Sequence, residues 1–375
     1  MQVAEFLLPE PKIQPVLDPG FRPAALAVRA LERAAQASGR PLPIGVAVEQ
    51  ADGSTYSFRY PGVFLPMDHP AASANAYFLE RLVKFLLWSR GGWRVHVAGS
   101  PELAAGLRSY YAETETGRFD AMMMGQRIYE RPFEVVAVDE VPAEHATTQA
   151  LGRHWGGCRI GFDLGGSDRK VSAVIDGEPV FTEETEWSPI QQADPQYHYD
   201  GIMDSLQRAA AHLPRVDAIG GSAAGVYVNN QVKVASLFRA VPQDLFDSRV
   251  KTMFLDIKSA WKDIPFEVVN DGEVTALAGS MSLGQGGVLG IALGTSTAGG
   301  YVTPDGNISS WLNELAFVPI DHDPGAPADE WSGDTGCGVQ YLSQQAVGRL
   351  LAPAGITVDA GLSLPETLKV VQALM

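Results

Sequence analysis

Cysteine is almost absent from this chain. Only Cys158 and Cys337 occur among 375 residues, with no C-x-x-C pair, so neither a disulfide framework nor a cysteine zinc site is written here. Positive charge is scarce too: 28 Lys and Arg stand against 44 Asp and Glu, a formal net charge of −16. A binder of nucleic-acid backbones would carry the reverse, a basic patch, so no nucleic-acid partner is expected. No stretch approaches the ~20 apolar residues that cross a bilayer. The N-terminal MQVAEFLLPEPKIQP has acids and prolines where a signal peptide would have a basic and then an apolar run. No membrane partner is expected, and a cytoplasmic location is the default.

What is present is ordinary for a folded protein, 46% apolar and 19% charged. The length exceeds one compact core, which predicts two or three domains. Residues 1 to about 22 are Pro-rich and read as a surface arm. Apolar spacing then predicts a helix over 24–38, through Leu26, Val28, Leu31, Ala34 and Ala35. A hairpin turns at Asp52-Gly53. Helices over 75–89 and 101–112, the latter opened by Pro101, alternate with strands over 93–99 and 133–140. These elements make an N-terminal α+β domain, residues 1–150. VPAEHATTQALGRHWGG (141–157) has no period and reads as a linker, and a second domain covers 158–375. There the pattern predicts helices over 199–213, 245–261, 272–281 and about 341–351, strands over 216–226 and 266–271, and a last helix from Ser363 or Pro365.

One structural phrase occurs twice. RIGFDLGGSDRKVSAVIDGEPVF (159–181) and VLGIALGTSTAGGYVTPDGNI (288–308) each give a strand, a Gly-containing loop with small hydroxyl residues, a second strand and an Asp-Gly turn. Gly165 and Asp176 are 11 residues apart, and so are Gly294 and Asp305. Asp-Gly between alternating apolar residues is a hairpin signal, because the turn needs positive φ. Two such hairpins facing each other could present backbone N–H groups to one polyphosphate.

In FDLGGSDRK (162–170), Gly165 and Gly166 would let backbone approach a phosphate, Ser167 and Lys170 would donate to it, and Asp163 would sit beside a divalent cation through water. A plain hairpin turn with a solvated Asp explains the same residues. The motif is neither a Walker A nor a Rossmann fingerprint, since G-K-[ST] is missing and a strand follows. ALGTSTAGG (292–300) adds Gly294, Thr295, Ser296 and Thr297; such loops are common turn chemistry, and the matched spacing is what points to phosphate. VVND (268–271) sets Asn270 and Asp271 between a buried strand and a helix. Asp271 there is either an N-cap or a general base at a strand's C-terminal edge, able to take a proton from a sugar hydroxyl. Glu314 stands within the apolar run WLNELAF (311–317), where sugar hydroxyls or a salt bridge would satisfy it. DHD (321–323), flanked by Pro and Gly, reads as a solvated loop and not a metal site.

Taken in order, DLGGS (163–167), AIGGSAAGV (218–226), VVND (268–271), LGTSTAGG (293–300), Glu314 and GCGVQYLS (336–343) resemble the ROK family of sugar kinases and sugar-responsive regulators, within the actin/hexokinase superfamily. The resemblance spans residues 159–351. It implies an α/β fold of duplicated RNase-H-like (actin-like ATPase) type with a hinged cleft, ATP and Mg²⁺ on the two loops, and a sugar between lobes. By position, Asp271 matches the family's catalytic base and Asn270 its sugar-contacting neighbour. Asp163 matches the metal-proximal acid, Gly165, Gly166, Ser167, Gly294, Thr295 and Ser296 the phosphate loops, and Glu314 the Glu of the E-x-G-H element.

The chain departs from that pattern in several places. E-x-G-H reads Glu314-Leu315-Ala316-Phe317, so Phe317 replaces the zinc-binding His, and the cysteine cluster is reduced to Cys337. No structural zinc is expected, with packing of Phe317 in its place. The family's Pro-Gly is Ala224-Gly225, and its Asn-Leu sugar contact is replaced around Leu237-Phe238-Arg239, where Arg239 would favour an acidic or unusual polyol. Residues 1–150 have no counterpart in the plain kinases, and the family's C-terminal, adenosine-binding portion is missing after Met375, so that lobe is expected to be incomplete. The expected function is an ATP-dependent sugar or polyol kinase, with a homodimer compatible. The alternative is a non-catalytic sugar or nucleotide sensor. An actin-like ATPase fits Asn270, Asp271 and Glu314 less well.

Overall fold

The computed structural model of the chain describes residues 3–294, 296–359, 361, 362, 366, 369, 370 and 372. The architecture is α/β, in two compact units: Met1–Thr147 with Ala292–Ala298 and Ser310–Met375, and Thr148–Ile291 with Gly299–Ser309. Among the described residues no helix is long and apolar enough to cross a membrane.

The first unit runs α1 (Ala24–Ala37), β1 (Leu42–Glu49), β2 (Thr55–Phe64), α2 (Ser73–Arg90), β3 (Arg94–Ala98), α3 (Pro101–Glu113), α4 (Glu115–Ala121) and β4 (Glu134–Val138). The sheet order is β2-β1-β3-β4, with β1 antiparallel to both neighbours and β3 parallel to β4. The β1–β2 bend uses Gly53 at φ 88°, and Asp52 Oδ1 accepts the Ser54 N–H at 2.8 Å. Ser100 caps α3 with Pro101 in its first turn, the arrangement that suits a residue lacking an N–H. After α4 the chain continues in wider π-type turns over Met122–Tyr129.

The N-terminal arm is stitched down. Leu7 is fully buried, Ala24 N–H donates to the Ile320 carbonyl at 2.9 Å, and Asp18 pairs with Arg349 at 2.9 Å. Asp321 accepts from Arg22 N–H at 2.8 Å and from the Tyr341 hydroxyl at 2.5 Å. The DHD segment is therefore not a solvated loop: Asp321 and His322 are buried, His322 edge-on to Tyr77. Its partners lie far off in the chain, which local reading cannot see. The expected linker is likewise anchored at its start, since His145 and Thr55 exchange both backbone hydrogen bonds.

The second unit runs β5 (Thr148–Gln149), β6 (Cys158–Leu164), β7 (Asp168–Ile175), β8 (Glu178–Glu186), α5 (Pro195–Ala210), β9 (Ala218–Ala223), β10 (Val226–Val228), β11 (Gln231–Val234), the single turn α6 (Gln243–Leu245), α7 (Met253–Ala260), β12 (Phe266–Asn270) and α8 (Asp271–Leu283). Its five-stranded sheet is ordered β12-β9-β6-β7-β8. The β6–β7–β8 meander is antiparallel, and β9 and β12 run parallel to β6. Alternation along the strands buries Ile160, Phe162, Leu164, Val171, Ala173, Ile219 and Val268 with Ile202 and Leu206 of α5 and Phe254 and Ile257 of α7. The predicted helix 245–261 is broken by wide turns at Phe246–Val250.

A second meander, β13 (Val288–Leu293), β14 (Thr297–Val302) and β15 (Ile308–Ser309), forms the sheet β13-β14-β15-β5. Asp176 and Gly177, at φ 50° and 89°, make a two-residue hairpin. At the second Asp-Gly only Gly306 has positive φ, inside a longer loop closed by Thr303 N–H to the Asn307 carbonyl at 2.8 Å. Helix α9 (Gln344–Leu350) follows; the helix expected from Ser363 or Pro365 falls largely on residues outside those described.

Candidate functional site

The face of the five-stranded sheet turned away from α5 and α7 carries two registered rows. One reads Thr182–Ser172–Gly161–Gly220–Glu267, the next Glu184–Lys170–Asp163–Ser222–Val269. A cavity of about 720 Å³ covers both rows, walled by Val274 and Leu277 of α8. Its floor is bare, since a Cβ at Gly161 or Gly220 would meet nothing within 4 Å. Glycine inside a strand often marks close approach of a ligand or another backbone.

Asp163 lies at the C-terminal end of β6, where its Oδ1 accepts the Ser222 hydroxyl at 2.6 Å. Asp271 is the first residue of α8. The cap is Asn270: its Oδ1 accepts Gly272 N–H at 2.7 Å, its Nδ2 donates to the Gly225 carbonyl at 2.7 Å, and the Glu273 carboxylate accepts Asn270 N–H at 3.2 Å, a capping box. Asp271 is thus relieved of the capping role that could have explained it. Burial raises its pKa, and the charge of Asp163 pushes it further the same way, against a 3.0 Å hydrogen bond from Gly272 N–H.

Burial pushes Glu273 from an ordinary 4.5 up to about 7. The folded chain therefore holds a proton that the unfolded chain releases, and the stability this gives is complete below about pH 4.5 and lost as pH rises through about 7. Glu273→Gln is expected to flatten the melting temperature against pH across that window; parallel curves for parent and variant would refute it.

The 165–167 turn is held by Gly165 N–H to the Asp168 carbonyl at 2.9 Å and by Trp187, whose indole N–H donates to the Gly165 carbonyl at 2.8 Å. Gly166 and Ser167 are exposed. Asp168 gathers both nearby donors: the Ser167 hydroxyl at 2.9 Å and the Lys170 ammonium, in an ion pair that lowers the carboxyl's pKa and raises the amine's. Arg239 is exposed beyond the Ser236–Phe238 turn and does not line the cavity.

The remaining sequence candidates belong to the other unit. Gly294 N–H donates to the Ser296 carbonyl at 3.0 Å, the Gly294 carbonyl accepts Gln344 N–H at 2.8 Å, and Ser296 is exposed. The Thr297 hydroxyl is taken up by the Leu342 carbonyl at 2.6 Å; Thr295 lies outside the described residues. Glu314 is half-buried, its N–H donating to the Trp88 carbonyl at 2.9 Å, and Phe317 stacks on Trp88 with centroids 4.1 Å apart. Among the described residues no group of three His, Cys, Asp or Glu is placed to hold a metal ion. Cys337 is buried, its thiol pushed up to about 12.

Sequence reasoning passed over Ser222, Glu273 and Asp168. Two of these had signals: Asn270-x-x-Glu273 has capping-box spacing, and Ser222 closes the Gly-Gly-Ser of β9. The start of α8 is further fixed by main-chain contact, since a Cβ on Gly272 would stand 2.3 Å from the Gly299 carbonyl oxygen. Gly272→Ala is expected to cost about 1–3 kcal/mol through forced displacement of the helix. Calorimetry checks this, and an unchanged melting temperature would contradict it.

No family model matches the sequence, and no curated protein matches it. Solved structures similar to the chain include ROK-family hexokinases, sugar kinases and regulators, at low identity and partial coverage. A ROK hexokinase from Thermus thermophilus is 18% identical, with TM-score 0.43, over 54% of this chain and 66% of that one. A ROK-family transcriptional regulator, a homolog of the E. coli MLC protein, is 20% identical, with TM-score 0.43, over 55% and 51%. A ROK-family protein from Streptococcus pneumoniae, solved with sucrose, is 14% identical, with TM-score 0.40, over 58% and 68%. The chain thus spans about two thirds of that hexokinase and half of that regulator.

Proposed function

We propose that this chain is a ROK-like kinase that moves the γ-phosphoryl group of ATP to a hydroxyl of a sugar or polyol. The observation that carries the reading is the division of labour at α8: Asn270 caps the helix, leaving Asp271 at the strand's C-terminal edge, where it feels the charge of Asp163. A carboxylate made more basic by burial is better matched to taking a proton from an attacking hydroxyl near neutral pH. The order β8-β7-β6-β9-β12, a meander followed by two parallel strands, supports an RNase-H-like reading of the second unit. The β13–β14–β15 meander supports the start of a second copy.

By its place at the C-terminal end of β6, Asp163 is assigned to Mg²⁺. The Gly165-Gly166-Ser167 turn and, separately, the Gly294-Thr295-Ser296 turn are each assigned to phosphate, with Lys170 and Thr297 beside them; the N–H groups of Gly165 and Gly294 close their own turns, which leaves those of Gly166 and Ser167 as the candidate donors of the first. Bound Mg²⁺–ATP would supply the phosphoryl group and neutralise its spreading charge. Asn270 positions Asp271, while Glu314 is assigned to the substrate.

A sensor that binds without transferring phosphate is the second reading. It is favoured by Asp168, which occupies the Ser167 hydroxyl and the Lys170 ammonium, two donors a transferred group would need. Thermal shift with ATP–Mg²⁺ and a sugar and polyol panel, run beside an ADP-release assay, separates the two. Stabilisation with substrate-dependent ADP release supports the kinase. Stabilisation alone supports the sensor, and neither effect removes both.

A further inference from the structure

We infer that the C-terminal end of α2 is a positioning device for Glu314, and that Asn313 is the residue through which it acts. The inference rests on the assignment of Glu314 to the acceptor substrate. All of its parts lie in the first unit. An α-helix ends with four carbonyls that have no partner inside it. On α2 these belong to Leu87, Trp88, Ser89 and Arg90. Gly91 N–H takes the Leu87 carbonyl at 2.8 Å, as a helix end ordinarily closes. The other three are taken from far along the chain. Glu314 N–H donates to the Trp88 carbonyl at 2.9 Å, Asn313 N–H to that of Ser89 at 3.1 Å, and the Gln50 side-chain amide to that of Arg90 at 2.7 Å.

The same Gln50 nitrogen also donates to the Ser310 carbonyl at 2.7 Å, and the Tyr56 hydroxyl meets the Ser310 hydroxyl at 2.6 Å. The Arg90 guanidinium lies 3.5 Å over the Trp311 ring, a cation–π contact. The segment 310–314 is thus held at both ends. Gln50, Tyr56, Trp88, Ser89 and Asn313 are all buried, so a slip of this segment would strand backbone carbonyls away from their donors.

Asn313 makes the bend within the segment. Its φ is 54°, in the left-handed region that asparagine visits more readily than most residues, and its Nδ2 donates to the Trp311 carbonyl at 3.3 Å. A left-handed residue directly before Glu314 sets the direction in which the chain enters it. The N–H bonds of residues 313 and 314 then fix that direction relative to α2. The Glu314 main chain is therefore placed by contacts that its own carboxylate does not have to make, which leaves the carboxylate for a ligand.

The test is Asn313→Val beside Asn313→Gly in the full chain. Valine is a steric outlier at positive φ, whereas glycine adopts it freely. The acceptor probes are a panel of aldohexoses, N-acetylhexosamines and hexitols with Mg²⁺–ATP, read by ADP release and by thermal shift. Asn313→Val should raise KM, or the apparent Kd, for the acceptor about 10-fold or more while leaving that for ATP within about twofold; Asn313→Gly should stay within about threefold of the parent on both. If the valine variant does not fold, Asn313→Ala sets the same conflict more mildly. Hydrogen exchange on the parent needs no variant: the amides of Asn313 and Glu314 should exchange as slowly as those inside α2. Unchanged acceptor binding in the valine or alanine variant overturns the inference alone, as do an equal loss for ATP, a glycine variant as impaired as the valine, or fast exchange at 313 and 314. A parent that no panel compound stabilises or turns over removes the kinase and sensor readings, and the inference with them.

Discussion

Lys84→Met is expected to cost about 3–5 kcal/mol of folding stability, a large share of what a domain has. The ammonium is wholly buried on α2. It touches both Asp120 carboxylate oxygens at 2.9 and 3.0 Å and Asp334 Oδ2 at 3.0 Å. Arg81, one turn earlier, pairs with Asp334 at 3.0 Å and with Glu80 at 2.5 Å, and the Trp88 indole N–H donates to Asp120 at 2.8 Å. Methionine fills the space but leaves three buried carboxylates, Asp120, Asp334 and Glu80, to the one guanidinium of Arg81, which pairs with the last two. Burial opposes the charge of Asp334, yet Arg81 and Lys84 hold its pKa below the usual carboxylate value. Its contribution is therefore present above that value and lost as pH falls through the lowered one. Denaturant titration measures the cost. A loss under about 1 kcal/mol would mean that these pairs barely repay their desolvation.

Asp271→Asn is expected to lower turnover 10²–10⁴-fold while leaving binding intact. The amide has nearly the same shape and its oxygen can still accept Gly272 N–H, but it cannot take a proton. The α8 cap belongs to Asn270 and Glu273, so the helix should form as before. The measurement is kcat beside the thermal shift given by ATP–Mg²⁺ and the substrate found in the panel. Activity within about tenfold of the parent would remove Asp271 as the base. Loss of the thermal shift together with activity would instead assign it to binding.

Local chemistry made much of the fold legible. Asp52-Gly53, Pro101 and the apolar period of 24–38 correspond to the β1–β2 bend, the start of α3 and α1. Asp176-Gly177 makes the tight hairpin that its residue types require. Legibility failed where distant partners decide. Met122–Tyr129 holds three consecutive methionines and no period, and it adopts wide turns behind Asp120, whose partner is on α2. Asn229-Asn230, both at positive φ, close a β10–β11 hairpin in a stretch where the sequence reading placed no element beyond Val226. At the site, the Asn270-Asp271 pair was readable, but which of the two caps the helix was not. That depends on the Gly225 carbonyl, which only the fold brings within 2.7 Å. Likewise, nothing in Ser167-Asp168-x-Lys170 as a string says that the acid between the two donors claims both.

The contact of Gly272 with the Gly299 carbonyl is one main chain resting on another. It has no rotamers, so drift in the surrounding core cannot nudge the Asp271 carboxylate by fractions of an ångström as it would a base perched on packed side chains. Redesign of this protein for a new acceptor should therefore leave the first turn of that helix alone and reshape the walls that a ligand would meet.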